Sequence, residues 1–317
     1  MSIKIVKSSD SFKEYLPIFG TKEFLESKSD NYGWFVSNSF ILPFFIDKRA
    51  IFSKLVFTTN SIVLEDDNEE LFLDEVIVKS KELAVDLIAQ PLASSIFSKK
   101  PKNSKYIEWG TYVVDLTQSE DDILKNMHSK HRNVIRKAIK DDVIIEQCTD
   151  IDIIYNILKN TMLRQNRAYA SKEELNMLKP FSKFYIAKKD SIIQGCAILP
   201  FNHNGAYYLY GGSISRPYTG SLNYLHYYAM LEFKKLGVTR YDFMGARPNV
   251  EKGSKLEGIQ RFKSRFGGEL KKGYLWKYEL KPIKVELINI IQKIRFRIKS
   301  KEYLGDAIEQ ELKRCQK

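Results

Sequence analysis

The sequence predicts a mixed α/β (α+β) protein made of two tandem units with mixed central sheets, followed by a helical tail. Three observations carry this expectation. At 317 residues the chain exceeds the usual size of one domain, so two units of about 150 residues are expected. Short β-like runs and amphipathic helical runs alternate in both halves. A hydrophobic fraction of 44% is enough to fill a core in each. The expected boundaries are 1–142 for the first unit and 143–282 for the second, with 283–317 packing back on the first.

In the first unit, WFVSNSFILPFFI after Gly33, SKLVFTTNSIVLE and TYVVDL read as strands broken by polar turns. ELFLDEVIVKSKELAVDLIAQ supplies a helix around Glu70 to Leu83, with a break before Asp86 where the chain turns into a strand. Ser119 can cap a helix whose third residue is Asp122. That helix places Ile123, Leu124, Met127, Val134, Ile135, Ala138 and Ile139 on one face and a basic stripe of Lys125, Arg132, Arg136 and Lys140 on the other. A solvated surface accounts for such a stripe without any function.

The second unit begins with VIIEQC at Val143 and a helix from about Ile151 to Arg164. KFYIAKK, SIIQGCAILPF and GAYYLYGGS follow as a meander with polar turns between them. In GAYYLYGGS the alternation puts Tyr208 and Tyr210 on one face, where a tyrosine pair makes a sugar or peptide platform. Ser221 then caps a helix carrying Leu222, Leu225, Ala229, Met230, Phe233 and Leu236, which Gly237 ends before the strand TRYDF. This order of helix, antiparallel strands, helix and strand is that of the Gcn5-related acetyltransferase fold. The tail spaces Val285, Ile288, Ile291, Ile294 and Ile298 helically among Lys284, Lys293, Arg295, Arg297, Lys299 and Lys301. Packing on the first unit is the leading expectation for it, and contact with an anionic membrane the second.

Composition excludes several classes. The richest apolar run, FILPFFI, is seven residues, far short of the roughly 20 a spanning helix needs. The polar start MSIKIVKSSDSFKEY has no signal-peptide core, so a cytoplasmic location is expected, with the inner face of the cell membrane as a secondary site. Cys148, Cys196 and Cys315 fit buried free thiols rather than disulfides or zinc ligands, and His128 and His131 have no partners to complete a metal site, so no metal is expected. A net charge of +12 suits a phosphate-bearing partner such as RNA, a nucleotide sugar or an anionic membrane.

The most informative stretch is YDFMGARPNVEKGSKLEGIQRFKSRFGG, from Tyr241 to Gly268. Its YDF strand, small-residue loop, Phe262-Lys263 pair and closing Phe-Gly-Gly resemble the end of the Fem family of peptidoglycan aminoacyltransferases. The resemblance extends from about Ser129 to Tyr274, in the short form that has no room for the helical-hairpin insertion of longer members. It implies two Gcn5-related units and transfer of an aminoacyl group from transfer RNA to the amine of a nucleotide-linked or lipid-linked muropeptide. No cofactor is implied, because aminoacyl-tRNA is the co-substrate. Lys263, with Phe262 before it, is implied as the cation that stabilises the developing oxyanion.

The same resemblance implies that Tyr208 and Tyr210 contact the acceptor and that Arg164, or next Arg167, meets its diphosphate. Arg247 joins these as a substrate-binding candidate, and Arg132 and Arg136 lie in the segment implied to hold tRNA or the domain junction. Asp242 is in the right segment for a general base, although nothing in the sequence assigns it that role. The alternative is an acyl-CoA- or acyl-carrier-dependent N-acyltransferase acting on an amino sugar of a surface polysaccharide. Against it, RPYTGSLNY departs from the pyrophosphate-binding loop of coenzyme A enzymes: its second glycine is missing and Arg216 is one residue too far away.

Overall fold

The computed structural model describes residues 2–165, 167–248, 250–298, 303 and 305–315. Lys299 and Lys301 of the basic tail lie outside the described residues, as does the side chain of Cys315. The chain divides into one unit of residues 1–110 with 272–317 and another of residues 111–271. The dividing points therefore differ from the expected 142 and 282. The reason is packing: Ile123, Met127, Ile135 and Ala138 are buried in the core of the second unit, together with Leu225, Phe233 and Phe243.

The first unit contains β1 (Lys4–Val6), α1 (Lys22–Glu26), β2 (Tyr32–Val36), β3 (Phe40–Arg49), β4 (Phe52–Phe57), β5 (Ile62–Val63), α2 (Glu69–Ser80), β6 (Leu87–Ile88) and the start of β7 (Lys105–Asp115). β1 to β4 pair in sequence as antiparallel neighbours, and β6 joins β4 in parallel after the α2 crossover. FILPFFI is apolar at every position because β3 is covered on both faces. Phe40, Leu42 and Phe44 enter one core with Phe57, Phe72 and Trp276, while Ile41 enters another with Trp34 and Leu25. α2 is capped by Asn68, whose side chain accepts the Leu71 amide at 3.1 Å. Ala84, in the left-handed region at φ 52°, then turns the chain into β6.

The second unit begins with α3 (Glu120–Asn126) and α4 (Ser129–Lys140), then β8 (Ile144–Gln147), α5 (Ile151–Leu163), α6 (Lys172–Leu178), β9 (Ser182–Lys189), β10 (Ile192–Asn202), β11 (Gly205–Tyr207), β12 (Tyr210–Ser213), α7 (Ser221–Lys235), β13 (Arg240–Asp242) and α8 (Lys255–Ser264). Of the expected meander, β9 and β10 pair antiparallel and β10 pairs in turn with β11 and β12; β8 joins the other edge of β9, and β11 pairs with β13 in parallel, with α7 as the crossover. The end of β7 borders β13, with Val114 opposite Tyr241.

Three local expectations are corrected here. The single helix expected after Ser119 is two: Met127 turns to extended backbone and buries its side chain, and the His128 amide donates to the Arg265 carbonyl at 2.9 Å. GAYYLYGGS is not one strand. Phe201 faces Ala206 while Ile198 faces Tyr210, so three steps along β10 match four along its partner, and alternation slips by one residue between β11 and β12. Pro200, which has no amide to donate, lies at the slip. Finally, Gly220 rather than Ser221 occupies the cap of α7, at φ 87°; Ser221 is the first helical residue and is buried.

The chain then returns to the first unit through β14 (Glu269–Glu279), α9 (Pro282–Ile298) and α10 (Ala307–Cys315). Buried Asp86 accepts from Lys281 and Lys284, each at 2.8 Å, and fastens the start of α9. Burial alone would raise the Asp86 carboxyl, but these two lysines and the Ser53 amide outweigh it and hold it at about 2. Lys277 of β14 bridges Asp306 and Glu309, both at 2.6 Å, and so ties the start of α10 to the sheet. Cys148 and Cys196 are buried free thiols. Among the described residues no helix is long and apolar enough to cross a membrane.

Candidate active site

The site is built where β13 ends. Met244 and Gly245 both adopt left-handed backbone, at φ 46° and 66°. Glycine takes that conformation readily, whereas methionine does so at a cost that the surroundings must offset. Asp242 supplies the offset: its Oδ1 accepts the Met244 amide at 2.7 Å and the Thr111 hydroxyl at 2.5 Å. With the loop held this way, the carbonyl oxygens of both Met244 and Gly245 accept from Lys263 Nζ, the latter at 2.8 Å.

Lys263 stands on α8, whose start is capped by the Ser254 hydroxyl accepting the Glu257 amide at 3.2 Å. Its ammonium has three donors, and among the described residues two of them are taken by backbone carbonyls, which leaves one N–H for a substrate. Burial lowers its pKa most; Asp242 acts in the opposite direction, and the positive charges of Arg247 and Arg167 lower it further, to about 8. The Asp242 carboxyl is itself raised by burial, against the pull of Thr111, the Met244 amide, Arg240 and Lys263. Lys263, Arg247, Arg167 and Asp242 thus form one electrostatic cluster, although Arg167 lies far in sequence from the Tyr241–Gly268 stretch that carries the other three.

Behind the lysine lies an aromatic nest. Phe262 packs edge-on against Phe266, with His226 at 5.7 Å and His131 at 5.5 Å between ring centres. His131 Nε2 lies 3.0 Å from the Phe262 carbonyl, which can only accept, so that nitrogen carries the hydrogen. His226 shares a 2.7 Å hydrogen bond with the Tyr241 hydroxyl and is buried among Tyr208, Phe243 and Phe266. Burial first, then Lys263 and His131, push its pKa down to about 3, so it is neutral at neutral pH.

An acid-stability prediction follows from His226. Its folded pKa of about 3 lies below the ordinary 6.5, so between those values the unfolded chain binds the extra proton. Its contribution is complete above about pH 6.5 and is lost as pH falls toward 3, by an amount on the order of 3 to 5 kcal/mol. The difference between urea midpoints at pH 7.5 and pH 5 should shrink in His226→Phe. An equal difference in both proteins would refute the assignment.

The other expected residues separate. Arg164 Nη2 donates to the Ser213 carbonyl and to Thr161 Oγ1, so it ties α5 to β12. Arg167, the second choice from sequence, is the one whose charge reaches Lys263. Tyr208 leans on His226 with ring centres 4.4 Å apart, whereas Tyr210 donates to Glu174 of α6 at 2.7 Å. The two tyrosines therefore do not form the shared platform expected from strict alternation; the slip at Pro200 separates them. Arg132 donates to the Lys125 and Met127 carbonyls and closes the end of α3, while Arg136 is exposed.

Sequence reasoning passes over His226 and Thr111 and weighs His131 only as a metal ligand. The available signal was placement: His226 falls beside Leu225, Ala229 and Met230 on the buried face of its helix, where an uncompensated polar ring needs a partner. Among the described residues no group of three histidine, cysteine or acidic side chains is placed to hold a metal.

Residues 159–293 match the model of the FemAB family. That span includes Lys263, Asp242, Arg167 and both tyrosines. No curated protein matches the sequence. Among solved structures, the chain is similar to FemX at 15% identity and a TM-score of 0.67, over 91% of this chain and 100% of that one. It is also similar to the C-terminal domain of a putative lysylphosphatidylglycerol synthetase from Agrobacterium fabrum, at 13% identity and a TM-score of 0.52, over 82% of this chain and 88% of that one. The L-PGS structure from Bacillus licheniformis is matched at 12% identity and a TM-score of 0.51, over 83% and 88%. At these identities the likenesses establish the fold.

Proposed function

We propose that this chain is an aminoacyltransferase of the FemAB family that moves an aminoacyl group from transfer RNA to the amine of a peptidoglycan-type precursor peptide. The acceptor nitrogen bonds to the ester carbonyl carbon, the bond to the ribose oxygen breaks, and the proton lost by the amine ends on that oxygen. Between these events the carbonyl oxygen is negative, and a fixed donor aimed at it is usually the largest single catalytic contribution. The observation that carries the reading is Lys263, anchored by the Met244 and Gly245 carbonyls, with its third N–H left over among the described residues. Arg167 and Arg247, within electrostatic reach of it, suit the acceptor diphosphate.

The rival donor is an acyl-CoA, whose pyrophosphate would need open amides at the start of α7. There the Ser221 amide already donates to the Tyr218 carbonyl at 3.1 Å, and Ser221 is buried. This weighs against coenzyme A as the donor. Purified protein offered charged tRNA or acyl-CoA, with muropeptide and amino-sugar acceptors, separates the two. RNase-sensitive amide formation is the expected result, and transfer from coenzyme A alone would overturn it.

A further inference from the structure

α9 has two apolar faces, and only one of them is covered. Val285 is buried with Phe52 and Leu87, and Ile288 packs beside them, which seats the helix on the first unit. The opposite side carries Ile283, Leu287, Ile290, Ile291, Ile294 and Ile298 at helical spacing, with Ile283 80%, Leu287 56%, Ile294 54% and Ile298 78% exposed. A continuous exposed stripe of this kind marks an interaction surface rather than chance exposure. Its borders are basic. Lys284 and Arg295 flank one side, Lys293 and Arg297 the other, and Glu286 is the one acid among the described residues of the helix. Lys284 also reaches Asp86, while Lys293 lines a cavity of about 300 Å³ with Lys105 and Lys313.

From this arrangement we infer that α9 lies on an anionic membrane surface, with the exposed isoleucine and leucine stripe in the acyl boundary and Arg295 and Arg297 among the lipid phosphates. The seated face orients the helix so that the stripe points away from the unit that carries it. The charge pattern selects the occupant: a second protein copy would bring the same positive flanks and repel, whereas anionic headgroups complement them. The assignment stands independently of the transferase reading.

The test is flotation of the full chain with vesicles of phosphatidylglycerol mixed into phosphatidylcholine, against vesicles of phosphatidylcholine alone. Binding to the anionic vesicles, released by salt, is expected. Leu287→Gln, Ile291→Gln and Ile294→Gln combined should weaken it at least about tenfold while the melting temperature is kept, since these side chains are already in solvent. Arg295→Glu with Arg297→Glu should weaken it similarly without touching the apolar stripe. Absence of binding, equal binding to neutral vesicles, or binding unchanged in the triple variant would overturn the assignment. So would a concentration-dependent dimer that the triple variant abolishes, because a second copy would then be the occupant.

Discussion

Lys263→Ala is expected to lower kcat at least about 100-fold while the protein stays folded, the usual cost of removing one preorganised oxyanion donor. The pH profile makes the prediction specific. The acceptor amine must be unprotonated to attack, so it contributes a limb that rises with pH. Lys263 must be protonated to stabilise the oxyanion, so activity should fall as pH rises through about 8. In Lys263→Arg the guanidinium remains charged across this range, and the falling limb near 8 should disappear even though the altered geometry lowers the rate. Near-normal turnover in the alanine variant, or a limb that persists in the arginine variant, would remove Lys263 from the mechanism.

Asp242→Asn is expected to move that same falling limb to lower pH. The carboxylate favours the charged form of Lys263 against burial and against Arg247 and Arg167, and asparagine removes this support while keeping an oxygen for the Thr111 hydroxyl and the Met244 amide. Asp242→Ala removes those acceptors as well. Two buried donors would be left unpaired, at about 2 to 4 kcal/mol, and Met244 would lose the bond that holds it at φ 46°. The asparagine variant should therefore separate electrostatics from architecture: a shifted limb with a modest change in melting temperature. If its pH profile matches the wild type, Asp242 serves the loop alone.

These two residues also mark how far the sequence could be read. Lys263 was identifiable because the Phe262-Lys263 pair, the YDF strand and the closing Phe-Gly-Gly lie within one continuous segment. The roles of its neighbours were less legible. Arg164 and Arg167 lie three residues apart on the same stretch, yet one bonds the Ser213 carbonyl and the other acts on Lys263. Nothing in their local sequence distinguishes them, because the difference is set by where β12 runs. Tyr208 and Tyr210 were assigned one face by a period of two, and one extra residue opposite β10 was enough to separate them.

By itself the sequence determined the α/β class, the succession of α5, β9, β10, α7 and β13 in the second unit, and the lysine on which the chemistry is proposed to rest. These are local properties: periodicity, turn residues and a contiguous motif survive in one dimension. Only the tertiary structure decided that the helices before residue 142 belong to the second core, that His131 and His226 support the Phe262 nest, and that α9 leaves a second apolar face exposed. Each of those depends on contacts between segments far apart in the chain, where burial and charge are set by neighbours that no local pattern names.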